Sequence, residues 1–148
     1  MNKNTFAQDY AAYQTIAQRY EAAKAQNDEA GKTAARAEYK AWGEAVDAKG
    51  EGYANIYRLY AEAQERGNEF IDLHDTIWDK NVPVLIASLR EHGIEKFTFS
   101  STWSSAVETA WLFTKEGCKL EGLVEINSQH KDIFTGEREK AHGYLFSL

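Results

Sequence analysis

The chain has 148 residues, 43% of them hydrophobic and 13% aromatic, which is enough to bury a core and too apolar for a disordered segment. Its formal net charge of −6 disfavours direct contact with nucleic acid and favours a basic partner or plain solubility. A single cysteine, Cys118, excludes an internal disulfide and points to a reducing, cytoplasmic setting, while no signal peptide is visible and no apolar run approaches the ~20 residues of a membrane span.

Composition shifts near residue 80. Before it the chain is rich in Ala, Glu, Gln, Lys and Tyr; after it come Val, Ile, Phe, Ser and Thr in short runs. This pattern predicts an α+β protein: a helical N-terminal half packed on a small three-stranded sheet with β-α-β-β order. The expected division is a helical hairpin over 1–52 and an α+β domain over 53–148, the two forming one compact unit.

Phe6, Tyr10, Tyr13, Ile16 and Tyr20 recur at helical spacing and predict a first helix from Thr5 to Asn27. Ala35, Tyr39, Trp42 and Val46 predict a second from Asp28 to Lys49, ended by the turn signal of Gly50 and Gly52. A third, starting near Tyr53, is expected to continue to Asp79 unless Gly67-Asn68 breaks it. Asn81 and Pro83 suit the start of a fourth helix, and Gly93 suits its end. Phe97 and Phe99 alternate in a short strand, Ser105-Ala-Val-Glu108 matches a capping box, and Gly117 closes the helix that follows. Lys119–Ile126 and Gly143–Leu148 complete the strands, and residues 127–140 read as a polar loop. The strand–helix–strand segment from Phe97 to Ile126 fits a parallel crossover, with the last strand antiparallel beside it.

The third helix carries the most distinctive pattern. Glu62, Glu65, Glu69, Asp72 and Asp79 fall on one side of a 3.6-residue helix, with Asp75 one position around. Arg66 is the lone basic residue between Glu62 and Asp79. Like charges at these spacings weaken a helix, so the face is either a solvated surface or a docking ridge for a basic partner. Carboxylates on a rigid helix can imitate a row of phosphates, so the basic partner can be one that normally holds nucleic acid.

The turn Ser100-Ser101-Thr102-Trp103-Ser104-Ser105 is a second candidate. It leads from a strand into a helix N-terminus, where Ser101, Thr102, Ser104 and Ser105 can donate to an anion, or can simply cap the helix. No Gly-rich loop or following Lys makes it a P-loop. The histidines, His74, His92, His130 and His142, lack zinc spacing, so no metal or cofactor is expected. His74 reads as a core or rim residue. Cys118 follows a helix C-terminus, where a thiol is not activated, and no catalytic residue is assigned. The tyrosines and tryptophans of the N-terminal half read mainly as inter-helix packing, with a self-assembly face as the other use.

The segment EKFTFSSTWSSAVETAWLFTKEGCKLEGLVEI, within residues 94–126, resembles small uncharacterised proteins of Firmicutes plasmids, phages and conjugative elements. Small acidic proteins of such elements include anti-CRISPR inhibitors. The resemblance implies a non-enzymatic inhibitor that lays its acidic surface on the basic nucleic-acid groove of a CRISPR effector nuclease. Trp111, Phe113, Lys115 and Glu116-Gly117 also resemble acetyltransferases, though the Ser/Thr-rich turn occupies the place of their Gly-rich pyrophosphate loop. The alternatives are a small ligand-binding or acyltransferase-like enzyme using the Ser100–Ser105 turn, and a helical self-assembly protein.

Overall fold

The computed structural model describes residues 3–74 and 79–148. The chain divides into two compact units, and the division falls inside the third helix, between Asn55 and Ile56.

The first unit is built on α1 (Lys3–Ala25) and α2 (Glu29–Asp47), followed by the start of α3 (Glu51–Arg66). Asn27 adopts φ 52°, and the bonds Asn27 N→Lys24 O and Asp28 N→Ala23 O form a Schellman motif that ends α1. Asp28 then caps α2 by accepting from Gly31 N. The Tyr13 ring centroid lies 6.2 Å from that of Tyr39 and 5.4 Å from that of Trp42, so these three rings pack between α1 and α2. Asp9 ties the unit together: its carboxylate accepts from Tyr53 and from Lys49, and its carbonyl accepts from the Trp42 indole.

The second unit holds a four-stranded sheet in the order β1-β2-β4-β3, built from β1 (Ile71–Leu73), β2 (Lys96–Phe99), β3 (Lys119–Lys131) and β4 (Arg138–Ser147). The sheet has one strand more than the sequence predicts. β1 and β2 are parallel, joined through α4 (Val82–Glu91), which a short 3-10 turn at Asp79–Asn81 precedes. β4 lies antiparallel to both β2 and β3. The segment from β2 through α5 (Ala106–Lys115) to β3 therefore returns parallel, as expected, but one strand further out, because β4 inserts between them.

Cross-strand partners share a face of a sheet. Ile71, Phe97 and Phe146 align across the sheet, as do Leu73, Phe99 and Tyr144. The Phe113 ring of α5 packs edge-on against Phe97, Phe99 and Phe146 on this side. Val82, Ile86 and Leu89 of α4 are fully buried. Asp72, Thr98 and Leu145 align on the other face, which also carries Gly143, where an added Cβ would stand 3.2 Å from Thr98.

Three expectations are corrected at the level of elements. Helix three ends at Arg66: Gly67 takes φ +72°, and the bonds Gly67 N→Gln64 O and Asn68 N→Ala63 O complete a Schellman motif. The next residues form β1, not more helix. Residues 127–140 are not a loop but the distal part of the β3–β4 hairpin, closed by a turn in which Asp132 Oδ1 accepts from the amides of Phe134 and Thr135. Ser105 precedes α5 without a side-chain cap bond, so the expected capping box does not form.

Candidate functional cleft

α3 ends just where its last residue, Arg66, meets β1. The Arg66 side chain is 4% exposed. Its Nη1 donates to Asp72 Oδ2 at 3.3 Å, and its Nη2 donates to Glu62 Oε1 one helical turn back. Asp72 is buried too, and accepts from Thr98 Oγ1 at 2.7 Å and Ser100 Oγ at 2.8 Å. Burial raises the Asp72 carboxyl above the usual aspartate range, while the bonds from Thr98 and Ser100 and the Arg66 charge pull the other way. Among the described residues, no buried side-chain nitrogen or oxygen lacks a partner.

The network sits at the C-terminal ends of the two parallel strands. His74 follows β1, and its Nε2 lies 3.4 Å from Glu62 Oε1. Ser100 follows β2 and donates its amide to Leu73 O. β2 pairs with β4 only from Tyr144 to Ser147, so the Arg138–Gly143 part of β4 overruns β2 together with its partner β3. The corner between this overhang and the turn after β2 is a cleft of about 340 Å³. Arg66, His74, Ser100, Ser101 and Thr102 line one side; Ile126, Ser128, Gln129, His130, Glu139, Lys140, Ala141 and His142 line the other.

Donors outnumber carboxylates in this lining, where Glu139 is the carboxylate among the described residues. Lys140 Nζ donates to Asn127 Oδ1 and pairs with no carboxylate among the described residues. Ser101 Oγ accepts from Trp103 N, which sets the turn and leaves its own hydroxyl proton to give. Pockets outside the carboxyl ends of parallel strands are the usual ligand positions in sheets of this kind. Among the described residues, no group of His, Cys, Asp and Glu is arranged to hold a metal. Cys118 is buried, and burial pushes its thiol pKa up.

The described carboxylates of the predicted ridge, Glu62, Glu65, Glu69, Asp72 and Asp79, do not share a surface. Glu62 is half-buried against Arg66, and Glu65 is exposed on the last turn of α3. Glu69 is exposed in the loop beyond Gly67, and Asp72 faces inward from β1. Asp79 lies in the 3-10 turn, where Thr109 Oγ1 donates to it at 2.7 Å. Asp75 falls outside the described residues. The ridge fails because Gly67 ends the helix and the chain re-enters as a strand, whose period of two turns Asp72 away from its helical neighbours. Of the turn residues, Ser101 and Thr102 line the cleft, while Ser104 and Ser105 are exposed and do not. Sequence reasoning missed Arg66, His74, His130, Lys140 and His142 as members of one site with the Ser100–Thr102 turn. The break signal of Gly67-Asn68 was the available hint that Asp72 leaves the helical face.

The fold and cleft define an α+β domain with a mixed sheet and a polar pocket at the carboxyl ends of its parallel strands. A family described as a domain of unknown function, DUF7698, matches residues 55–148, and the chain belongs to that family. The matched span begins within one residue of the start of the second compact unit. No curated protein and no solved structure matches the chain.

Proposed function

We propose that the second unit is a ligand-binding domain, and that its cleft receives a small anionic, acceptor-rich molecule. The observation that carries this reading is the convergence of donors in one cleft of about 340 Å³: the carboxylate-free Lys140, the Arg66 edge, His74 and the Ser101 hydroxyl. That volume suits a ligand of sugar-phosphate size. The reading assigns binding of the anion and no reaction step. The CRISPR-nuclease inhibitor expected from the mobile-element resemblance drew its mechanism from a continuous acidic ridge, and that observation no longer supports it.

The cleft reading is tested by substituting Lys140 and Ser101, which lie on opposite walls. Lys140→Ala and Ser101→Ala are each expected to weaken phosphate binding by about 3- to 30-fold, the effect of losing one charge-assisted hydrogen bond of a bound anion. Unchanged affinity in both variants would count against the cleft.

A further inference from the structure

Glu62 is the feature of the cleft that its structural role does not exhaust. Arg66 already has a buried counter-charge in Asp72, whose side chain is 3% exposed and held by Thr98 and Ser100. Glu62 is a second carboxylate on the same guanidinium, and its side chain is 32% exposed. Its carboxylate lies between Arg66 Nη2 and His74 Nε2, so it takes up two groups that also line the cleft, Nε2 donating in the tautomer protonated there. It is not itself part of the cleft lining. Asp72 is fixed by three donors and cannot leave without stranding Arg66. Glu62 has two, and a change of rotamer takes its carboxylate into water.

Resting on the cleft reading, we infer that Arg66 and His74 form a phosphate-monoester subsite at the inner end of the cleft, which Glu62 occupies in the free protein and vacates when the ligand binds. A carboxylate on the ligand would only exchange one monoanion for another already tethered in place. A phosphate dianion has more charge and a third acceptor oxygen, so it can hold Arg66 and His74 while also accepting from Ser101, whose hydroxyl proton is not used in the turn. Glu62 therefore acts as the specificity-determining residue: it rejects simple carboxylates and admits phosphate esters.

The test is calorimetric titration of the full chain with inorganic phosphate and, separately, acetate, at matched ionic strength, for the wild type, Glu62→Gln and Glu62→Ala. Arg66 keeps Asp72 in both variants, and near-ultraviolet circular dichroism checks that packing is intact. The expected result is phosphate binding in all three, tightened by about fivefold or more in Glu62→Ala, as one competing ion pair is removed. Acetate is expected to bind only the variants. Phosphate binding with the same affinity in all three proteins, or weakened in the variants, overturns the role of Glu62 and leaves the cleft reading standing. Absence of phosphate binding in all three overturns the cleft reading and the subsite together.

Discussion

Asp72 is the residue on which the second unit turns. A carboxylate at 4% exposure is tolerated because Arg66, Thr98 and Ser100 all donate to it. Removing Arg66 alone leaves that charge without a counter-ion, so Arg66→Met is expected to lower stability by about 3–5 kcal/mol in urea unfolding. The raised Asp72 pKa has a definite sign in pH-dependent stability. The folded protein holds the Asp72 proton more tightly than the unfolded chain does. Its contribution is thus fully present below the usual aspartate value and is lost as pH rises through the folded value. Subtracting the urea stability profile of Asp72→Asn from that of the wild type should leave a difference that falls with rising pH across this window. A difference that rises would mean the Arg66 attraction outweighs burial. Asp132 works in the opposite sense: amides of Thr135 and Phe134 hold its carboxyl below the usual range, so its support of the hairpin turn fades only as pH falls.

At the scale of elements, the Gly67-Asn68 joint decides the architecture. Gly67 at φ +72° lets α3 stop, and the Asn68 amide then pairs with the main chain of Asn127: Nδ2 donates to its carbonyl, and Oδ1 accepts from its N–H. A side chain thus stands where another strand would pair with β3. Gly67→Ala is expected to cost roughly 1–2 kcal/mol by the strain of a left-handed Cβ, and Asn68→Ala about 1–3 kcal/mol by exposing two main-chain partners, both read from thermal unfolding. Helices were largely legible from the sequence because their stripes and ends are written in residue type: Gly93 and Gly117 close α4 and α5 with the same bonds as Gly67. β1 was not legible, since three residues are too few to establish a period and Asp72 interrupts the apolar run. The distal hairpin was hidden for a different reason. Both faces of Ser128–Lys131 and Arg138–Lys140 are polar, so no alternation of hydrophobicity marks them as strands. The cleft was half legible: Ser101 and Thr102 were found from their strand-to-helix turn, whereas His130, Lys140 and His142 needed the hairpin to bring them there.

For the whole molecule, the family match and the second compact unit coincide almost to the residue, so the family assignment rests on that unit. A fragment beginning at Glu51, so that α3 stays whole, is expected to give a dispersed amide spectrum of its own; a collapsed spectrum would show that the unit depends on the N-terminal helices. None of the helices described is long and apolar enough to cross a membrane. The central claim is that the corner between the Ser100–Thr102 turn and the β3–β4 overhang is a ligand site. The most direct measurement is an amide chemical-shift titration of the full chain with inorganic phosphate. The account predicts saturable shifts confined to Glu62, Arg66, His74, Ser100–Thr102 and the hairpin residues Ser128–His130 and Glu139–His142. Saturable shifts centred elsewhere, or none at all, would contradict it.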